Sequence, residues 1–345
     1  MFAKIVLFAA LAAAVVPAAQ QGALVYVKSG DVWIMNTDGS SQTRLTTVGD
    51  ALQPRLANST LFFKSGGQLY RAPLLGLALQ SPAQAIPSTS GVLEYAPNPN
   101  ATRLVLTYQS NFTSYTMNAD GTGSAALNTT ASSHQSLFSW GRDGYIYFVQ
   151  SALGNAFSQL LYRIPENGLN NPAVLTNYFS QFPAAGGPGH KVAFLYNHPV
   201  KYIRTMNPDG SNQQDVPGVN TGDGGFMGID QFVDVIYYTF YDQIWRVNFD
   251  GSGNTQLTSG AYHNYVGYGL LDVDNTPPVV TSVTATPNPV AKGVSFSLTA
   301  TLLDTGGSGL SIAHYTIDGS TPQLMGTPSG ASAMLTIPLA PFPSA

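Results

Sequence analysis

A short phrase that returns six times limits this chain to folds built from one repeated sheet. In full it is an apolar strand with an aromatic residue, then Asn-x-Asp-Gly-Ser or -Thr, then a short strand ending Leu-Thr. It stands as Val32-Trp33-Ile34-Met35-Asn36-Thr37-Asp38-Gly39-Ser40 with Leu45-Thr46 behind it, and as Ile244-Trp245-Arg246-Val247-Asn248-Phe249-Asp250-Gly251-Ser252 with Leu257-Thr258. Tyr115 to Thr122 and Met206 to Ser211 repeat it, and Leu69 to Pro73 and Leu161 to Gly168 are worn copies. The mean spacing is about 42 residues, the length of four short strands with tight turns, which is one propeller blade. Gly takes positive φ at little cost and Asp bonds its own backbone, so each Asp-Gly pair closes a hairpin.

A nearly continuous apolar run precedes each copy: Leu24–Val27, Leu61–Phe63, Leu104–Leu106, Tyr145–Phe148, Val192–Leu195 and Val235–Tyr238. Strands buried on both faces read this way. A further strand lies upstream again, with starts near Gln53, Glu94, Gln135, Gln181, Asp223 and Asn264, spaced by 41 to 46 residues. The first blade has no such strand ahead of Leu24, and the one near Asn264 is surplus after the sixth blade. The expectation is an all-β, six-bladed β-propeller over residues 20–273, with four-stranded blades. The strand near 263–271 returns to close the ring on the first blade and removes its open edge.

Composition agrees. Charged residues are 9% of 345, the net charge is -4, and 18 Tyr and 17 Phe outnumber 14 Lys plus Arg. This is far from the basic signature of nucleic-acid binding. The absence of cysteine excludes disulfides, thiolate metal sites and a Cys nucleophile. Residues 1–19 read as a signal peptide: Lys4, an apolar run from Ile5 to Val16, and small residues at Val16-Pro17-Ala18. The protein is therefore expected to be exported (periplasmic, cell-surface or secreted), with no integral membrane segment in the mature chain.

At the repeat the chain resembles the TolB-like β-propeller family, a relative of WD-repeat propellers. That family's blade carries a Ser-Pro-Asp-Gly turn before its second strand and an Asp-Gly turn after its third, closing on Leu-Thr. The earlier turn survives loosely as Tyr95-Ala96-Pro97-Asn98, Ser139 to Gly144 and Gly187-Pro188-Gly189. The resemblance covers about 250 residues. TolB itself looks like an α/β domain followed by a propeller, and this chain has no room for the α/β part. The resemblance thus implies the fold, and implies neither the Tol envelope system nor the hydrolase domain that related prolyl oligopeptidases carry.

Residues 274–279, with Pro277-Pro278, form a stiff linker. Behind it, residues 280–345 alternate as strands and resemble bacterial immunoglobulin-like repeats, with Asp304 to Gly309 and Tyr315-Thr316-Ile317-Asp318-Gly319 as the matching turns. Such sandwiches need about 100 residues, so this module is expected to be a small, truncated β-sandwich lacking its last strand or two.

No nucleophile elbow, phosphate loop or zinc helix motif occurs, so no catalytic residue and no metal site is assigned. The five histidines, His134, His190, His198, His263 and His314, show no metal-ligand spacing. The Asp-Gly turns lack the alternating acids and closing Glu of an EF-hand. Calcium in the central channel is the one cofactor that a ring of oxygens there would suit. The repeat places Gln53, Glu94, His134, Gln135, Gln181, Asp223, His263 and Asn264 at the channel mouth, a polar and mildly acidic set, with Trp140, Tyr262 and Tyr265 nearby.

The sequence therefore points to a non-catalytic binding scaffold that presents its channel mouth to a protein or cell-surface glycan. Two alternatives stand beside it. One is a polysaccharide hydrolase or lyase using Glu94 and Asp223 as its acids. The other is a regulatory propeller cut from a larger enzyme.

Overall fold

Each motif of the repeat has a structural cause in the computed structural model. At four turns the Asn N–H bonds the Ser or Thr carbonyl four residues on, at 2.9–3.0 Å, in pairs Asn36–Ser40, Asn118–Thr122, Asn207–Ser211 and Asn248–Ser252. The Asp between them accepts the backbone N–H of that Ser or Thr at 2.9 Å, and the following Gly holds φ between 83° and 91°. The Leu-Thr ending is a second device. Leu45, Leu175 and Leu257 donate their N–H to Val32, Leu161 and Ile244. Thr46, Thr176 and Thr258 then accept the N–H of those same three residues at 2.9, 3.0 and 2.9 Å. Thr89 does the same for Leu69 at 3.2 Å. In these four blades a buried donor near the start of the third strand is thereby satisfied.

The structure describes residues 20–110, 112–127, 133–152, 159–168, 171–177, 179–186, 191–197, 201–220, 225, 227–230, 233–260, 262–272, 279–286, 295–303, 313–315, 323–326 and 332–339. The expected signal peptide and residues 274–278 of the expected linker lie outside them, and Val279 already belongs to a strand. Residues Gly22–Leu271 form one unit. Its strands run β1 (Gln20–Lys28), β2 (Asp31–Asn36), β3 (Thr43–Arg44); β4 (Leu52–Ala57), β5 (Thr60–Ser65), β6 (Gln68–Leu75), β7 (Ala78–Leu79), β8 (Gln84–Ala85); β9 (Val92–Pro97), β10 (Arg103–Tyr108), β11 (Ser114–Asn118), β12 (Ala125–Ala126); β13 (Ser133–Trp140), β14 (Tyr145–Ala152), β15 (Leu160–Pro165), β16 (Ala173–Val174); β17 (Ser180–Ala185), β18 (Val192–Asn197), β19 (Lys201–Met206), β20 (Gln214–Asn220); β21 (Met227–Asp230), β22 (Val235–Phe240), β23 (Gln243–Asn248), β24 (Thr255–Gln256); and β25 (His263–Asp272).

These make six antiparallel blades, a six-bladed β-propeller. The first blade has the order β25-β1-β2-β3, so the strand closing the ring comes last in the chain. The second blade departs from the repeat. In place of an Asp-Gly turn, β6 continues into a small hairpin with β7 and also pairs with β8.

Six apolar cores hold the ring, one at each junction between neighbouring blades. The last junction joins blade six to blade one, packing Tyr237 and Ile244 on Leu24, Tyr26, Met35 and Val266. The central strands carry the apolar runs read from the sequence, and Leu61, Phe62, Leu104–Leu106, Ile146–Phe148 and Val192–Phe194 are wholly or almost wholly buried. Cations tie blades together at the surface. Arg103 of β10 lies 5.7 Å from the Trp140 ring of β13 and donates to the Glu166 carbonyl at 3.3 Å. Arg163 donates to the Pro208 carbonyl at 2.7 Å.

The C-terminal unit contains β26 (Val279–Thr286), β27 (Phe296–Leu303), β28 (Ala313–Tyr315), β29 (Gln323–Gly326) and β30 (Ser332–Leu339). β26, β27 and β30 form one antiparallel sheet, and β28 pairs antiparallel with β29. No helix among the described residues is long and apolar enough to cross a membrane.

Candidate functional site

The innermost strands β4, β9, β13, β17, β21 and β25 begin at the same end of the ring, and a repeated distortion marks that end. In β4, β13 and β17 the register slips between Leu52 and Arg55, Ser136 and Ser139, and Gln181 and Ala184. Each slip sets two residues against one Phe of the central strand: Phe63, Phe148 or Phe194. Within these bulges Gln53, Leu137 and Phe182 hold φ of 50°, 56° and 48°, and Tyr265 of β25 holds 57°. Bulky non-glycine residues take this region at a cost, and such outliers persist where the surrounding fold over-determines them.

The residues singled out in the sequence have different fates. Gln135 is 1% exposed and is tied into its own blade junction, accepting from Ser114 Oγ at 3.1 Å through its side chain. Gln181 donates to Gln159 Oε1 at 2.6 Å. His263 is 1% exposed, its ring 5.6 Å from that of Tyr26. Asn264 donates to Tyr262 Oη at 3.0 Å. The backbone of His134 pairs with Ser151 in β13–β14. Asp223 lies outside the described residues.

Gln53 and Glu94 are brought together. The Tyr95 hydroxyl, on a side chain 1% exposed, donates to the Gln53 carbonyl at 2.7 Å and clamps β9 to β4. Burial pushes the Glu94 carboxyl up, against the opposing pull of Arg55, Lys64 and the Gln53 amide. Burial likewise pulls the Lys64 ammonium down while Glu94 pulls it up, and Lys64 Nζ donates to the Leu93 carbonyl at 2.8 Å. Tyr265 is raised by burial first and then by Glu94 and Tyr262.

Arg55 and Lys64 stand outside the strand-start positions that the repeat spacing marks, and so were missed in the sequence. Their signal was present: each is the one cation of its strand and sits beside apolar residues, in Leu-Gln-Pro-Arg-Leu-Ala and Leu-Phe-Phe-Lys. With them the described rim beside Glu94 is not acidic; it holds two cations to one carboxylate.

No ion pair joins Arg55, Lys64 and Glu94. Gln53 Oε1 is buried without a hydrogen-bond partner. This is a site equipped to receive polar groups. The paired carboxylates of most glycosidases are not met at Glu94, whose charged neighbours among the described residues are the cations Arg55 and Lys64. No group of three or more His, Asp or Glu that could hold a metal ion occurs among the described residues.

The sequence matches no protein-family model and no curated protein. Solved structures do match. A chain of a nidogen/laminin complex superimposes with a TM-score of 0.59 at 12% identity, covering 72% of this chain and 98% of that one. A putative TolB from Agrobacterium tumefaciens superimposes with a TM-score of 0.53 at 14% identity, covering 71% and 91%. At these identities the likeness establishes the propeller fold.

Proposed function

We propose that this chain is an exported binding scaffold whose propeller offers the rim around Gln53, Arg55, Lys64 and Glu94 to a protein or cell-surface glycan. The observation that carries this reading is the convergence of charged and polar groups from β4, β5 and β9 with no ion pair among them. Charges at the surface of a stable fold are ordinarily dispersed or paired, and a half-buried set held apart by the backbone suits a ligand that supplies the missing partners. The likeness to a chain from a nidogen/laminin complex, a complex of two proteins by its description, is in keeping with this. The leader at 1–19 would deliver the protein across the membrane, and the C-terminal strands, read as an immunoglobulin-like module, would act as a spacer.

The test is capture from an envelope extract, run beside a glycan array and with and without calcium. Retention of one defined partner, lost on joint Arg55→Ala and Glu94→Ala substitution, is the expected result. Capture that survives the double substitution would move the site elsewhere on the propeller. N-terminal sequencing of the mature protein should begin within a residue or two of Gln20; an unprocessed chain would remove the export reading.

A further inference from the structure

The polar groups on this rim define what kind of ligand satisfies all of them at once. Gln53 is 6% exposed, and its side-chain oxygen has no donor. A buried acceptor in that state is destabilising until a donor reaches it. The strained φ of 50° at Gln53 fixes where this amide stands. The half-buried Arg55 guanidinium is close enough to act electrostatically on Glu94, Tyr95 and Tyr265, yet among the described residues it makes no hydrogen bond or ion pair. Glu94 lies within the same field as Lys64.

A fitting ligand therefore brings donors for Gln53 Oε1 and Glu94, and an acceptor for Arg55. It also carries net negative charge, because two cations face one carboxylate among the described residues. An Asp or Glu side chain of a protein offers acceptors alone, and a Lys or Arg side chain offers donors alone. A zwitterionic amino acid offers both but has no net charge. A sugar bearing a carboxylate meets every requirement. Its hydroxyls donate and accept, and its carboxylate matches the planar guanidinium fork. Its apolar ring face suits the half-exposed Tyr262 and neighbouring Tyr265.

We infer that the rim formed by Gln53, Arg55 and Glu94 is a subsite for a carboxylated sugar unit of the uronate type. This rests on the rim being the binding surface and names its ligand class. Arg55 takes the carboxylate, Gln53 Oε1 and Glu94 take ring hydroxyls, and Tyr262 and Tyr265 flank the ring.

The experiment is calorimetric titration of the full protein with short oligoglucuronate and oligogalacturonate. The same oligosaccharides after reduction of their carboxyls to alcohols, and an Asp/Glu-rich peptide, serve as comparisons. Saturable binding of at least one oligouronate is expected, with the reduced form weaker by about tenfold or more. Arg55→Gln should lose about as much, Arg55→Lys less, and added salt should weaken binding. Melting curves of the variants confirm folding, and the comparison with reduced sugar needs no variant. Equal binding of the reduced sugar, undiminished binding by folded Arg55→Gln, or no binding of either oligouronate overturns the assignment. Peptide binding abolished by Arg55→Gln would give the subsite to a protein instead. If an envelope partner is still captured and is lost on the double substitution while oligouronates fail, only the ligand class is wrong and the rim remains the binding surface.

Discussion

Gly269 of β25 lies so close to Leu56 of β4 that a β-carbon on it would stand 2.7 Å from both the carbonyl carbon and the Cβ of Leu56. The closing strand is admitted between its neighbours only because this position has no side chain. Gly269→Ala should destabilise the propeller by about 2 kcal/mol, the typical cost of overpacking against a backbone that cannot retreat. Gly267, whose added β-carbon would stand 2.9 Å from the Pro54 carbonyl oxygen, should tolerate Ala better. Denaturant unfolding of the two variants ranks them; equal midpoints would show that the backbone there yields.

Thr258 Oγ1 accepts the Ile244 N–H at 2.9 Å from a side chain 3% exposed. Thr258→Val keeps the shape and leaves that donor buried and unpaired, at a cost of about 1–3 kcal/mol. Thr258→Ser keeps the oxygen and should cost less. Thermal melts of the pair, repeated at Thr46 and Thr176, check whether the Leu-Thr signature is there for this bond.

Asp38, Asp120, Asp209 and Asp250 are held below the usual carboxylate range, chiefly by the side-chain and backbone hydrogen bonds of the Ser or Thr two residues on. A carboxyl whose folded pKa is depressed contributes stability above its unfolded value and loses it as pH falls through the folded value. The propeller should therefore weaken progressively on acidification below about pH 4. Asn at Asp250 keeps the acceptor oxygen without the charge, so Asp250→Asn should flatten part of that acid limb. Melting temperature against pH for the two proteins measures it.

At the alkaline end the buried phenols govern. Tyr237 and Tyr238 are pushed up to about 12, first by burial. An acid whose folded pKa is raised stabilises the fold below its unfolded value, about 10 for tyrosine, and that contribution is lost as pH climbs towards the folded value. A lagging fraction of the phenolate absorbance should thus appear together with loss of the β-sheet circular dichroism. Complete ionisation with the sheet intact would show that these side chains reach solvent in the native state.

The central strands were legible because burial on both faces writes an uninterrupted apolar run, as at Leu104–Leu106 and Val192–Leu195. Ring closure was legible because one strand was missing at the start and one was surplus at the end. The level of the rim residues was not. Leu69, Ser114 and Leu161 are equivalent by the carbonyl bond each receives from Ile86, Leu127 and Leu175. Their partners Lys64, Thr107 and Val149 face Leu52, Glu94 and Ser136. Glu94 therefore corresponds to Leu52 and Ser136, each one residue away from the Gln53 and Gln135 with which sequence spacing aligned it. The bulges behind Leu52 and Ser136 leave no trace in sequence, because the positive-φ residues of the three bulges are Gln53, Leu137 and Phe182 rather than Gly. The hairpin of β6 and β7 was hidden for a related reason, since a worn Asp-Gly turn looks the same whether it is lost or replaced.

Because β25 is the inner strand of the blade that β1 begins, the first blade stays incomplete until the last stretch of the propeller has been made. A ribosome releases five whole blades before the sixth junction has both its walls. Until then β1 carries a bare hydrogen-bonding edge, and any chaperone that escorts this protein has that edge to guard for nearly the whole of its synthesis. The order of residues along the chain thus acts as a clock, and the ring finishes in a single late event.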